Sequence, residues 1–254
     1  LDEAKIPNLK NVMASMIKPL REITKGTLSA VPYDLGQTGI AYNTKHISKE
    51  KAEKLGASLL WDKGLKGKLG SWGGDFRTNM WYAALHTGQS PNNMTDLKAI
   101  WAALREQRGL MKKYWSSGAE LMSLLANGEI YATVAWSGRV AALQQEGNPI
   151  GYLSPKGTYS WMEYLFVLKG TDLEIAQKLL NFMLEPSAAI AVAEGQNYPP
   201  SLDPSKVKLT EKIMKMPAFD PTGKLDGYLF ANPSYWNANQ LEWTEKWDRI
   251  KAGS

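Results

Sequence analysis

The sequence has no cysteine and only two histidines, His46 and His86. The lack of cysteine excludes disulfide scaffolds, thiolate zinc sites, iron–sulfur clusters and cysteine nucleophiles. With two histidines, a multi-histidine metal site is not expected either, so we predict neither a metal nor a cofactor. No run approaches the ~18 consecutive apolar residues of a membrane-spanning helix, and none is predicted.

The sequence motifs of catalysis and phosphate binding are also lacking. Neither histidine accompanies a Gly-x-Ser-x-Gly nucleophile motif. The glycine-rich stretch 67–74 does not match the phosphate-loop pattern and is typical of a turn before a helix. No carboxylates have the spacing of a calcium loop. We therefore predict a protein that is not an enzyme.

The charge is basic but dispersed, with a formal net charge of +5 over 254 residues. Lysines are locally dense only at 63–68 and 206–215, which is typical of solvated loops or helix faces. Nucleic-acid binding is therefore not predicted. The length suits one large or two medium domains. The chain begins at Leu1 without a signal-peptide pattern, and we interpret it as a mature form or a fragment.

The sequence is unusually rich in tryptophan and tyrosine, the aromatic residues that carry a polar group. The chain has ten tryptophans and eleven tyrosines, more than a core of this size usually holds. Such side chains are favoured at binding sites because they combine a large apolar face with a hydrogen-bonding group. Their number indicates a binding protein.

Helical and strand patterns alternate along the chain, which indicates an α/β fold with mostly parallel sheets. Thr171 and Glu174 match a capping box. A continuous apolar run at 164–168 predicts a strand buried on both faces. The other clear patterns predict helices at 77–85, 97–104 and 120–125 and strands at 65–69, 130–136 and 149–153.

Aromatic and charged residues lie at the ends of these predicted elements, where ligands collect in open α/β sheets. Several have structural alternatives that stay open: a helix cap for Asp75, lobe core for Trp136 and Trp161, and a solvated helix start for Arg139. Glu163 is harder to explain structurally, because an unpaired acid among aromatic and apolar neighbours is costly to bury. The candidate binding residues are Asp75, Trp136, Arg139, Trp161, Glu163 and Tyr198.

An ordered set of segments resembles the periplasmic polyamine-binding proteins of ABC transporters, the spermidine/putrescine type of extracellular solute-binding protein. The resemblance spans nearly the whole chain, and its specificity lies in the order of the segments. They are LDEAKIPNLK at 1–10, VPY at 31–33, GQTGIAYN at 36–43, LWD at 60–62, GKL at 67–69, NGEI at 127–130, AWSG at 135–138, WME at 161–163, LNFMLEP at 180–186 and YPP at 198–200.

The resemblance implies a two-lobe periplasmic-binding-protein-like fold of type II, with hinge crossovers and a first lobe that is partly missing from this chain. It implies that 1–42 is the remainder of the first lobe and 43–160 the second lobe. It also implies that 161–204 returns to the first lobe and that 205–254 packs back on the second. We expect a monomer, or a first lobe completed by another chain segment.

The resemblance further implies the substrate-binding component of an ABC importer, located in the periplasm and working with a membrane-embedded permease. The six candidate residues fall on ligand-contacting positions, where carboxylates and an aromatic cage would hold a small amine-bearing ligand in a cleft between the lobes. The alternatives are a sugar-type solute-binding protein, with tryptophans stacked on sugar rings, and, less favoured, an enzyme on the same fold.

Three departures from the family pattern bear on the ligand. Thr78 stands where an acid is common, Glu163 replaces a shorter Asp, and Arg77 and Arg139 add cations near a site for cations. Because an arginine can bind a carboxylate in a bidentate way, this pattern suits an amino acid such as 4-aminobutyrate as well as putrescine or spermidine.

Overall fold

The structure is a computed structural model, and it describes residues 1–253. Its helices are α1 Ala14–Ile23, α2 Lys49–Leu55, α3 Phe76–His86, α4 Leu97–Arg108, α5 Gly118–Ala126, α6 Ser137–Gln145, α7 Leu173–Met183, α8 Pro186–Gln196, α9 Glu211–Met214, α10 Pro233–Ala238 and α11 Gln240–Ala252. Its strands are β1 Ala30–Asn43, β2 Leu69–Trp72, β3 Met111–Trp115, β4 Ala132–Trp136, β5 Ile150–Leu153, β6 Tyr159–Phe166 and β7 Leu229–Phe230. Among residues 1–253, no helix combines the length and the apolar composition that crossing a bilayer requires.

The chain divides into two compact units. The first unit consists of Leu1–Gly36 and Trp161–Tyr228, and the second consists of Gln37–Ser160 and the described chain from Leu229 onward. Strands β1 and β6 run through the divisions at 36/37 and 160/161. The sequence placed the corresponding divisions at 42/43, 160/161 and 204/205. The stretch 37–42 belongs to the second unit, where residues 38–42 pair with β4 and residues 40–42 also pair with β5.

The segment 205–228 belongs to the first unit, whereas the sequence analysis expected all of 205–254 to pack with the second lobe. Its apolar side chains explain the placement: Leu209, Ile213 and Met216 are buried in one cluster with Ala189 and Ala193 of α8. Only the stretch from Leu229 joins the second unit.

The sheet of the second unit is mixed rather than mostly parallel, which corrects the expectation from the sequence. Strands follow the order β3-β2-β4-β1-β6-β7, and β5 also pairs with β1. Strand β2 runs parallel to β3 and β4, but β1 is antiparallel to β4 and β5.

Several predicted elements are confirmed, and others differ from the prediction in their bounds or their caps. Helices α3, α4 and α5 and strands β4 and β5 lie where the patterns placed them. The strand predicted at 65–69 begins only at Leu69, because Lys63–Leu65 forms a 3-10 turn capped by Asp62. The predicted capping box does not cap α7; the Asp172 side chain accepts from Ile175 N instead.

The apolar run at 164–168 is not buried on both faces. Strand β6 extends from Tyr159 to Phe166, and the side chains of Phe166 and Leu168 are 67% and 69% exposed. The sequence pattern identified an apolar segment, but it could not reveal that some of its side chains are exposed to solvent in the described chain.

Candidate ligand-binding residues

Three neighbouring parallel strands of the second unit each end on a tryptophan: β3 on Trp115, β2 on Trp72 and β4 on Trp136. Parallel strands bring their carboxyl ends to one edge of the sheet, so the three indoles meet. The Trp72 centroid is 4.7 Å from that of Trp115 and 5.2 Å from that of Trp136, and Trp115 and Trp136 are 5.1 Å apart. The two pairs that include Trp136 are edge-on, a geometry that aromatic quadrupoles favour.

The three indoles differ in burial. Trp115 is fully buried and its Nε1 donates to Thr133 Oγ1 at 2.9 Å, so it serves the core. Trp72 and Trp136 are only half-buried. Trp136 therefore keeps part of its surface exposed, as does Trp72, which the sequence analysis did not select.

The loop from Trp72 to Asp75 is held in a fixed shape. The Trp72 ring lies over Gly74, where a Cβ atom would come within 2.3 Å of it, so any larger residue would displace the ring. Buried Asn79 donates from Nδ2 to the carbonyls of Trp72 at 2.7 Å and Asp75 at 3.0 Å. These bonds fix Asp75 relative to the Trp72 ring.

Asp75 caps helix α3, as the sequence predicted: its Oδ1 accepts from Arg77 N at 3.0 Å. The carboxyl is half-buried, and burial raises its pKa despite the bond from Arg77 N and the charge of Arg77. A desolvated carboxylate gains more from a cation than an exposed one does, because the effective dielectric around it is lower. The capping role therefore leaves Asp75 suited to an ammonium group.

The two arginines noted in the sequence have different surroundings. Arg77 Nη2 donates to Asn237 Oδ1 at 3.2 Å and to Gln240 Oε1 at 3.0 Å. Arg139 is exposed, and its side chain lies against Gly118 together with the Trp136 ring: a Cβ atom there would be 2.9 Å from Arg139 Nε and 3.4 Å from the ring. Arg139 is thus the arginine that lies beside a candidate aromatic.

In the first unit the structure brings Trp161 and Tyr198 together. Their ring centroids are 5.1 Å apart with an edge-on geometry. The Trp161 ring covers Gly36 on β1, where a Cβ atom would come within 2.3 Å of it. Glu163 follows two residues after Trp161 on β6, on the same face of the strand, and is exposed. Because Glu163 is exposed, the cost of burying an unpaired acid does not arise at this position.

The tyrosine loop is fastened to β1. Helix α8 ends at Gln196, and the next residue, Asn197, caps it in a left-handed conformation with φ 62°. The chain then runs beside β1: Leu35 N donates to Pro199 O at 3.1 Å, and Ser201 N donates to Tyr33 O at 3.0 Å. This pairing holds Tyr198 against Trp161.

One acid of the first unit was missed by the sequence analysis. Asp34 lies two residues before Gly36 on β1, so its side chain is on the face that Trp161 covers. It is only 4% exposed. An acid inside the otherwise apolar Val-Pro-Tyr-Asp-Leu-Gly strand is the signal that could have identified it.

Comparison with known proteins defines the class. Residues 1–221 match the family model described as bacterial extracellular solute-binding protein. The chain belongs to this family, and the family resemblance and fold class inferred from the sequence are confirmed.

The curated relatives include polyamine-binding proteins. The chain is 28% identical to the spermidine/putrescine-binding periplasmic protein of Escherichia coli, over all of this chain and 72% of that protein. It is 26% identical to the putrescine-binding periplasmic protein SpuD of Pseudomonas aeruginosa, over 100% of this chain and 73% of that protein. A gamma-aminobutyric acid-binding protein of P. aeruginosa is 27% identical over 49% of this chain and 35% of that protein.

A solved structure has the same fold. The spermidine/putrescine ABC transporter substrate-binding protein PotD from Streptococcus pneumoniae superposes with a TM-score of 0.77 at 20% identity, covering 99% of this chain and 77% of that one. The curated relatives named above are solute-binding proteins rather than enzymes.

Proposed function

We propose that this chain is the periplasmic substrate-binding component of an ABC importer and binds a small amine-bearing ligand. One observation carries the proposal: each unit presents two touching, partly exposed aromatic rings beside a carboxylate. These are Trp72 and Trp136 with Asp75 in the second unit, and Trp161 and Tyr198 with Glu163 in the first. Aromatic faces and carboxylates are the groups that recognise ammonium ions.

The names of the relatives support this ligand class, since they include binders of putrescine, of spermidine and of gamma-aminobutyric acid. They also support a periplasmic location and an importer permease as partner. A sugar ligand is less well supported, because a sugar site would favour neutral polar partners over Asp75 and Glu163.

Titration calorimetry with putrescine, 4-aminobutyrate and maltose tests the ligand class. We expect heat and saturation with at least one of the two amines and none with maltose. Saturable maltose binding without amine binding would replace the proposal with a sugar-binding function.

The carboxylates are tested by removing charge alone. Glu163→Gln and Asp75→Asn should each weaken binding of the amine by ~1.5–3 kcal/mol, the range for a hydrogen bond to a charged group. Asn remains a good helix cap, so the second variant retains α3. The control is Glu211→Gln, at an exposed acid of the first unit. Unchanged affinity in both test variants would remove the carboxylates from the site.

Arg139 separates the two kinds of amine. Its fixed charge beside Trp136 attracts a carboxylate and repels a diamine, and a guanidinium cannot lose its proton to escape that repulsion. Arg139→Ala should therefore abolish 4-aminobutyrate binding and leave or improve putrescine binding, with Arg105→Ala as the exposed control. Tight putrescine binding by the unmutated chain, without any response to 4-aminobutyrate, would leave a polyamine as the ligand.

A further inference from the structure

Asp34 is the buried acid of the first unit that the proposed site does not use. It is 4% exposed, and its Oδ1 is buried without a hydrogen-bond partner among the described residues. A buried carboxyl oxygen without a partner is costly, so such groups are rare unless they serve a function or bind something that the protein alone does not supply.

The surroundings of Asp34 point to the candidate site. Strand β1 is hydrogen-bonded to β6, which carries Trp161 and Glu163 on one face. Gly36 lies on the same face of β1 as Asp34, and the Trp161 ring occupies the space above Gly36. On the other side, Asp34 pairs with Pro200, next to the segment that carries Tyr198. Asp34 therefore lies on β1 between the two chain segments that carry the first unit's candidate residues.

We propose that Asp34 is a second carboxylate of the first unit's binding residues and, together with Glu163, holds an ammonium group of the ligand. The inference rests on the proposed function and adds a residue that sets specificity. Two carboxylates can accept from several donors of one ammonium, which also resolves the unpaired Oδ1. A carboxylate end of a ligand is disfavoured at the same place.

The charge state of Asp34 makes this role measurable. Burial, and to a smaller extent the neighbouring Glu163 carboxylate, together raise its pKa to about 7. The other titratable group that bears on it is Tyr33, whose own pKa is raised by burial and by both acids. None of these neighbours brings a positive charge. An arriving ammonium favours the ionised form of Asp34 and expels its proton.

Proton release on binding is the test. Putrescine is titrated into the chain at pH 6 by calorimetry in two buffers that differ in ionisation enthalpy. Because Asp34 is mostly protonated at pH 6 in the free protein and ionised in the complex, we expect release of nearly one proton per putrescine bound. Putrescine itself stays doubly protonated at this pH and contributes nothing.

The matched variants are Asp34→Asn and Asp226→Asn, the latter at an exposed acid of the same unit. Asp34→Asn should abolish the proton release and weaken putrescine binding at pH 8 by about 10- to 100-fold, whereas Asp226→Asn should change neither. Asn has nearly the same shape as the protonated acid, so the fold is retained.

The outcomes separate this inference from the proposed function. Putrescine binding without proton release, or an Asp34→Asn variant with unchanged affinity or undiminished proton release, would overturn the role of Asp34 and leave the amine-binding function intact. Absence of binding with putrescine and 4-aminobutyrate alike would overturn the proposed function, and the role of Asp34 with it.

Discussion

The second unit gathers its apolar residues into one large core, whereas the first unit divides its buried residues between small clusters. The larger core packs the sheet against α3, α4 and α11 and includes fully buried Trp81, Trp115 and Trp243. The first unit has one cluster around Leu180 and a cluster around Ile213. The second unit therefore has a larger continuous apolar core to stabilise it than the first unit has.

The exposed apolar residues divide in the same way. Among residues 1–253, all the exposed large apolar side chains except Leu241 lie in the first unit. Those of the first unit are Ile23, Phe166, Leu168, Leu173, Ile175, Leu179, Phe182 and Met214. Several of them belong to β6 and α7. Apolar surface left in water contributes nothing to stability, so the first unit gains less from its apolar residues than the second.

The largest expected effect is a cavity in the core of the second unit. Trp81 is fully buried, donates from Nε1 to Gly157 O at 2.8 Å and packs on Tyr159 with the ring centroids 4.6 Å apart. Trp81→Ala should lower the free energy of unfolding by ~3–5 kcal/mol in chemical denaturation. In the first unit, Leu179→Ala at a 58% exposed position should stay within ~0.5 kcal/mol. A loss below ~1 kcal/mol at Trp81 would contradict the contrast between the units.

A second effect tests the cost of the buried acid in the first unit. Because the pKa of Asp34 is raised to about 7 in the folded chain from its ordinary 3.8, its contribution to stability is fully present below pH ~4 and is lost as the pH rises through 7. Asp34→Asn removes this loss. The variant should therefore gain roughly 1–4 kcal/mol relative to the unmodified chain between pH 4 and pH 8, measured by urea unfolding at both values.

The sign of that difference decides the interpretation. A stabilising change that grows with pH means that ionised Asp34 is a cost to the folded chain, as expected for a group kept for binding. An equal effect at pH 4 and pH 8 would mean that Asp34 does not titrate across this range.

A smaller effect separates the two roles of Asp75 in the second unit. Asp75→Ala removes both the helix cap and the charge and should cost ~1 kcal/mol of unfolding free energy, whereas Asp75→Asn keeps a capping oxygen and should cost only a few tenths. Both variants should lose amine affinity to a similar degree. Equal stability of the two variants would show that the bond to Arg77 N does not support α3.

Much of the fold and part of the site followed from the sequence because they depend on local patterns. Apolar spacing located α4, and the Asp75 cap located the start of α3. The family resemblance selected Trp161 and Tyr198, which the structure places in contact. These features need information only from neighbouring residues or from the order of motifs.

Other features depend on pairing across the chain and could not be predicted in this way. The tryptophan cluster arises only because β3, β2 and β4 are adjacent in the sheet. The sequence shows a shared local pattern, since Trp72 and Trp115 are each followed by small residues and a helix cap and Trp136 is followed by Ser137, but it does not show that the three strands are neighbours. The position of Asp34 beside Glu163 requires the pairing of β1 with β6. The exposure of the apolar run at 164–168 requires knowledge of what packs on it.

The smallest effect on stability is expected from substituting exposed apolar residues of the first unit. These substitutions also test the difference in exposed apolar surface between the two units. Phe166 and Phe182 are 67% and 55% exposed. The double change Phe166→Ser and Phe182→Ser should alter the free energy of unfolding by no more than ~0.5 kcal/mol per site, because little buried area is lost. It should clearly reduce the fluorescence of an apolar dye and raise the solubility limit, since dyes and self-association both use exposed apolar surface.

Leu241→Ser, at a 77% exposed position of the second unit, is the control and should change dye binding far less because that side chain is isolated. A strong destabilisation by the double change, with dye binding unaltered, would mean that these phenylalanines are packed in solution and that the first unit is as well buried as the second.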